Sequence, residues 1–266
     1  LEFRRVLFRS IKGKVVLVTG ASGYIGRNIA HALSSHGANL ILVDTNQKKL
    51  KDLKISIERN NASVDIICKD LTRKGSIELI KKMIEKKYKK LDILINSIGF
   101  VGTSKMKGWN TGFKNQSKQA WDCSIETNMT SVFFLIQALH VLMKKSESAS
   151  IVNISSMYGE YAPDKKIYEG TKINNPAAYS VAKAGLNHMT KWLAVELGPK
   201  IRVNAISPGG LFRNQDKMFV KKYAEKTLLK RMATEDDIIG PIIFFASDMS
   251  KYITGQNLIV DGGWGT

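Results

Sequence analysis

Tyr179 and Lys183 stand four residues apart in a stretch of helical periodicity, so their phenol and ammonium share one helix face. A free phenol, with a pKa of about 10, is a poor base at neutral pH. A neighbouring ammonium favours phenolate and brings such a tyrosine into proton-transfer range. The spacing alone is weak, because any helix can carry a Tyr and a Lys at i and i+4; its weight comes from what surrounds it. Near the start of the chain, Thr19-Gly20-Ala21-Ser22-Gly23-Tyr24-Ile25-Gly26 separates an apolar run from an amphipathic one. Glycines there let backbone N–H groups close on a pyrophosphate, and the following helix aims its positive end at that anion. No Gly-Lys-Ser/Thr follows, which excludes a P-loop. Asp44 closes the next apolar run. A carboxylate at that place accepts hydrogen bonds from an adenosine ribose and repels a 2′-phosphate, which favours NAD(H) over NADP(H). It can equally cap the helix that begins near Asn46, and the two roles are compatible.

These residues need a scaffold, and the apolar pattern supplies one. Short runs at Val15–Thr19, 40–43, Val64–Cys68, Ile93–Asn96, 151–155, 202–206 and 258–260 read as strands. Helical periods occupy 25–35, 48–59, 77–88, 121–144, 178–197 and 235–247. Strands alternating with helices of this length form successive βαβ units. The expected architecture is α/β: a single-domain Rossmann fold over residues 11–266, with a doubly wound, mostly parallel seven-stranded sheet and helices on both faces. The first ten residues match the translation of a sequencing adapter and are read as an artefact outside the fold.

Composition excludes several other functions. The chain has 266 residues, 44% hydrophobic and 24% charged, as in ordinary soluble domains. Its longest apolar stretch, 132–143, is interrupted by Gln137 and His140 and is too short to span a bilayer, so no membrane is expected. Cys68 and Cys123 make neither a disulfide framework nor a CxxC pair, in keeping with a reducing, cytoplasmic setting. His31, His36, His140 and His188 have no metal-ligand spacing, so no metal is expected. The net charge of +18 comes from lysines scattered over helix faces, without a nucleic-acid-binding module, and no nucleic-acid partner is expected.

From about Lys14 to the C-terminus the chain resembles the short-chain dehydrogenases/reductases. The resemblance rests on the glycine turn, Asp70-Leu71, Asn96-Ser97-Ile98-Gly99, Asn128, Asn153-Ile154-Ser155-Ser156, Tyr179 with Lys183, Ser207-Pro208-Gly209, and Ile253-Thr254-Gly255-Gln256 with Asp261-Gly262-Gly263. It implies Tyr179 as general acid/base, with Lys183 binding the nicotinamide ribose and lowering the tyrosine's pKa. Ser156 would bond the reacting oxygen, and Asn128 would hold a water of the proton relay. Gly20, Ser22, Gly23, Tyr24, Ile25, Gly26, Asp44, Asp70, Leu71, Asn96, Ser97, Gly99, Pro208, Gly209 and Leu211 would join Tyr179 and Lys183 in holding NAD. A homodimer or homotetramer, built through 121–144 and 178–197, is also implied.

Three departures stand out. The glycine spacing is that of the family's extended, nucleotide-sugar-acting branch, while the chain length matches the compact one. An insertion near 157–176 lengthens the gap between Ser156 and Tyr179 and must bulge at the mouth of the active site. After Gly209 the usual threonine for the nicotinamide amide is missing, which leaves backbone groups or Asn214 for that contact. The insertion and the segment 208–215 resemble oxidoreductases of flagellin-modification and surface-glycan clusters. That suggests hydride transfer on a small, sugar-like molecule, phosphorylated or nucleotide-linked forms included. The alternatives are a 3-oxoacyl or small-ketone reductase on the same site, and a non-catalytic dinucleotide-binding regulator.

Overall fold

Side chains that alternate between the two faces of a central sheet set the layers of the molecule. The computed structural model describes residues 11–59, 63–101 and 106–266; the ten residues read as an artefact lie outside the described residues. Strands β1 (Val15–Thr19), β2 (Asn39–Asp44), β3 (Val64–Cys68), β4 (Ile93–Asn96), β5 (Ala149–Ile154), β6 (Ile201–Pro208) and β7 (Asn257–Val260) form one seven-stranded sheet, ordered β3-β2-β1-β4-β5-β6-β7. Every pairing is parallel, where the sequence suggested only a mostly parallel sheet.

Among the described residues the sheet is flanked by α1 (Tyr24–Ser35), α2 (Gln47–Glu58), α3 (Ser76–Lys87), α4 (Lys118–Ile125), α5 (Ser131–Met143), α6 (Ala177–Leu197), α7 (Lys217–Lys226) and α8 (Asp236–Ala246). Val16 and Val18 of β1 and Leu40 and Leu42 of β2 cluster with Ile29 and Leu33 of α1, Leu50 and Ile57 of α2, and Ile238 and Ile242 of α8. Their strand neighbours Val15, Leu17, Ile41 and Val43 cluster on the opposite face with Ile80, Ile84, Leu135, Leu139, Leu186 and Leu193. Strands buried on both faces read as continuous apolar runs, which is why they were legible. Each such side chain contributes about 1.5–3 kcal/mol by leaving water, so the two clusters fix the strand ends on which the site is built.

Helix 118–143 departs from the expected single α-helix. One π turn, Glu126–Thr130, interrupts it and carries Asn128. By length and composition this helix could cross a membrane. In the fold its Val132, Leu135, Ile136, Leu139, Leu142 and Met143 are buried in the cluster against the sheet.

Beyond the C-terminal strand ends, a smaller cluster joins Met157 and Ile167 of the inserted segment to Phe219 and Tyr223 of α7, Met232, and Trp264 of the C-terminal tail. The strand order reverses between β1 and β4, and the crevice of such a sheet opens there, at the carboxyl ends of the strands.

Candidate active site

The turn after β1 is shaped by close approach. Gly20 has φ of 61°, and a Cβ on it would sit 2.7 Å from the Ser97 carbonyl oxygen. A Cβ on Gly26 would collide with the Gly20 carbonyl oxygen. Both positions therefore exclude any side chain, and α1 begins at Tyr24 with no side-chain cap on its first turn. Asp44, at the end of β2, braces this turn: its carboxylate accepts from Ser22 N at 2.9 Å and from Thr45 N at 2.7 Å. It does not itself cap α2, whose cap is Asn46, accepting from Lys49 N at 3.0 Å.

Asp70 shapes the turn after β3, its carboxylate accepting from Thr72 N at 2.9 Å and Thr72 Oγ1 at 2.7 Å. Leu71 behind it is buried in the core. At the end of β4, Asn96 Nδ2 donates to Asn153 Oδ1 of β5 at 2.8 Å, and Asn153 Nδ2 donates to Thr190 Oγ1 of α6 at 2.9 Å. This buried chain ties the helix of Tyr179 to two central strands. Asn96 Oδ1 and Ser97 Oγ stay buried with no hydrogen-bond partner among the described residues. Unsatisfied polar atoms are costly in an interior and mark places where a polar ligand fits. A side-chain-free turn, an uncapped helix start, a carboxylate at the β2 end and these two orphaned oxygens suit a dinucleotide laid across the strand ends.

The proton-transfer group lies across the crevice. Ser156, buried in the turn after β5, accepts from Tyr158 N at 3.2 Å and lies within hydrogen-bonding reach of the Tyr179 hydroxyl. Lys183 is almost fully buried; its Nζ donates to Ile154 O at 2.9 Å and lies 6.0 Å from the centre of the Tyr179 ring. Ser155 Oγ donates to the Lys183 carbonyl at 3.1 Å and fixes α6 against β5. Burial depresses the Lys183 ammonium to about 8. Burial also raises the Tyr179 phenol above its usual value, and the Ser156 hydrogen bond offsets only part of that rise. Loss of water sets the direction here, with the Lys183 ammonium turned to the Ile154 carbonyl.

Asn128, expected to hold a water, is fully buried in its π turn. Its Nδ2 donates to Ser124 O and Phe100 O, and its Oδ1 accepts from Phe100 N at 3.0 Å. It thus pins the loop of Gly99, where a Cβ would lie 3.6 Å from Asn128 Oδ1 and 4.0 Å from Lys183 Nζ.

After β6, Gly209 N donates to Val260 O at 2.8 Å, and Gly210 N donates to the Tyr223 hydroxyl at 2.5 Å. Leu211 bridges to Ala233. Asn214 is exposed, with φ of 55°, and is not among the residues that line the cleft of Ser156 and Tyr179. Gln215 does line it, with Oε1 accepting from Arg213 N and Nε2 donating to Leu211 O.

Ser156 and Tyr179 open into a cleft of about 280 Å³. Its other walls include Tyr168 and, unremarked in the sequence, Trp109, Tyr158, Asn174, Asn175, Phe219 and Tyr223. Tyr168 sits within the insertion, and its hydroxyl lies 2.5 Å from that of Tyr158. Asp216, whose carboxylate accepts from Met218 N and Phe219 N, was the available signal for α7.

A family model described as enoyl-(acyl carrier protein) reductase matches residues 20–265. The chain is 34% identical to a post-translational flagellin modification protein A of Campylobacter coli, over 96% of this chain and 99% of that protein. It is 31% identical to a 3-oxoacyl-[acyl-carrier-protein] reductase of Thermotoga maritima, over 95% of this chain and 98% of that protein. A crystal structure of a short chain dehydrogenase from Leptospira borgpetersenii with bound NAD+ superposes with a TM-score of 0.84 at 34% identity, covering 97% of this chain and 95% of that one. The narrower resemblance expected from the insertion thus has a counterpart in the Campylobacter protein.

Proposed function

The chain belongs to the short-chain dehydrogenase/reductase family, and on that premise we propose that it moves a hydride between NAD(H) and a hydroxyl or carbonyl carbon of a small, sugar-like molecule. The observation that carries this reading is the Ser156–Tyr179 pair, backed by Lys183, in a cleft at the carboxyl ends of the strands. The nicotinamide, when bound, supplies or accepts the hydride. Everything else falls to the chain. Ser156 donates to the reacting oxygen and orients it. Tyr179, its proton held firmly by burial, gives that proton to the oxygen as negative charge develops there during reduction. In the reverse direction the phenolate takes the proton, and the charged fraction of Lys183 stabilises it. Asp44 would accept from the ribose hydroxyls through lone pairs left beside its bonds to the turn. Asp70 with Leu71 would border adenine. The free, half-buried thiols of Cys68 and Cys123 suit a cytoplasmic enzyme.

A second reading, reduction of 3-oxoacyl thioesters, is favoured by the Thermotoga relative. Steady-state assays that set a panel of sugars and polyols against a 3-oxoacyl thioester separate the two. The shared mechanism is tested by Tyr179→Phe, which keeps the ring and removes the hydroxyl. NADH affinity, read by fluorescence titration, should persist while turnover falls by roughly 10²–10⁴. Turnover near the wild-type rate would overturn the assignment.

A further inference from the structure

We infer that the cleft takes a neutral, unphosphorylated polyol, and that the paired hydroxyls of Tyr158 and Tyr168 recognise a second hydroxyl group of that substrate. The inference rests on the oxidoreductase reading above and names its substrate class.

Charge is the first argument. The chain carries 41 lysines and arginines, yet among the described residues that line the cleft none is Lys, Arg, His, Asp or Glu. Three of the nearby cations are engaged elsewhere. Lys222 Nζ donates to the carbonyls of Lys166 and Glu169 at 3.1 and 2.8 Å. Lys226 pairs with Asp164 at 2.6 Å and lies over the Trp264 ring, and Arg213 pairs with Glu235 at 2.7 Å. A phosphate entering this cleft would lose its water with no cation among the described lining residues to replace it. A neutral polyol meets no such penalty when its hydroxyls find partners.

Size is the second. The cleft, about 280 Å³, lies at the small end of the roughly 300–1,000 Å³ usual for small-molecule sites, and part of it lies against Gly209–Leu211. A small polyol suits a space of this size, whereas a nucleotide-linked sugar would extend through its open mouth.

Elimination among the polar groups is the third. Asn174 Nδ2 donates to Thr111 O, and its Oδ1 accepts from Asn175 N. Gln215 is bonded to backbone at both ends. The Tyr223 hydroxyl accepts from Gly210 N and donates to Met157 Sδ. Asn175 Oδ1 accepts from Ser180 Oγ, and its side-chain amide donates to the Tyr168 hydroxyl. Ser156 and Tyr179 are reserved for the reacting oxygen. That leaves the Tyr158–Tyr168 pair, in which one hydroxyl proton bridges the two oxygens and the other is available to a ligand. Burial raises the pKa of both phenols, so they act as neutral donors and acceptors. Trp109, Phe219, Ile173 and Met232 supply apolar surface for the C–H faces of a ring.

The test is a kinetic panel with NADH and NAD+: neutral ketoses and polyols, their phosphate esters, a 3-oxoacyl thioester, and cyclohexanone as a ketone without further hydroxyls. Neutral sugars or polyols should exceed their phosphate esters in kcat/KM by roughly tenfold or more. Tyr168→Phe should raise KM for the polyol by about tenfold, leave kcat and NADH affinity nearly unchanged, and barely alter cyclohexanone reduction. Tyr158→Phe should discriminate in the same way, so either variant suffices if the other fails to fold. Preference for the phosphate esters, or equal losses on polyol and cyclohexanone, would overturn the inference. Turnover of cyclohexanone or the thioester with polyols ignored would remove it and leave the oxidoreductase reading standing. No turnover of any member would take down both.

Discussion

Burial changes the chemistry of Lys183. Its ammonium is 3% exposed with a single carbonyl partner, and its pKa falls from the ordinary 10.5 to about 8. Between those values the unfolded chain keeps a proton that the folded chain has released, so folding stability rises with pH across that window. Below about 8 both states are charged and the penalty of burying the charge is fully present. Lys183→Met removes this titration. Its Tm relative to wild type should improve as pH falls from 10.5 towards 8, readable in melts at closely spaced pH; a difference that ignores pH would show that no buried ammonium is at stake. Asp44 makes a second residue-level case. It holds Ser22 and Thr45 through hydrogen bonds and would face the ribose, where its charge opposes a 2′-phosphate. NADH should be used roughly tenfold better than NADPH, and Asp44→Ala should shrink that ratio. A wild-type preference for NADPH in steady-state kinetics would reverse the assignment.

At the scale of elements, the inserted segment and α7 act as one piece. Ile167 is buried against Phe219 and Tyr223, Lys222 and Lys226 of α7 hold the segment through its carbonyls and Asp164, and Tyr168 reaches the cleft. The expectation that its charged and aromatic residues face substrate or solvent holds for Tyr168, Lys165, Lys166 and Glu169, whereas Asp164 is half-buried in its ion pair. Replacing 162–171 with a short Gly/Ser bridge should raise KM for substrate by about tenfold or more and KM for NADH far less. Equal losses for both would mark the segment as scaffold. Legibility in the sequence follows the same division. β1 and β4 were placed to the residue because strands buried on both faces read as apolar runs, and the half-buried edge strand β3 was placed as well despite Asp65. The π turn at Glu126–Thr130 was invisible, since one wide turn leaves helical periodicity nearly intact. α7 was missed because no strand follows it, although Asp216, Phe219 and Tyr223 form a cap and an i, i+4 aromatic pair. The catalytic spacing could be read along the chain. The Tyr158–Tyr168 pair could not, because it forms only when the insertion folds back on the turn after β5.

For the whole molecule, the question is what its most apolar surface does in a strongly basic protein. The sheet faces are covered, yet Phe134 of α5 is 49% exposed, and on α6 Val181, Trp192 and Val195 are 47%, 52% and 86% exposed. Phe133 links the two helices, its ring 5.4 Å from Phe134 and 6.4 Å from Trp192, so these residues belong to one neighbouring surface rather than to scattered points. Contiguous apolar surface of this kind marks association. We expect a homodimer or homotetramer that buries these helix faces, with an interface near the roughly 1,600 Å² of stable assemblies. The +18 charge opposes this, because copies of one chain repel each other. Salt screens that repulsion over about 10 Å at 0.1 M while leaving apolar burial in place. Light scattering at micromolar protein should therefore report dimer or tetramer at 0.1–0.2 M salt, with dissociation favoured as ionic strength falls. Trp192→Glu, which places a carboxylate in the patch and lowers the net charge by only one, should shift the equilibrium to monomer if apolar burial drives assembly. Were charge repulsion the controlling term, the same substitution would instead promote association. A wild-type protein monomeric at every ionic strength would leave these exposed aromatic residues without the role assigned to them.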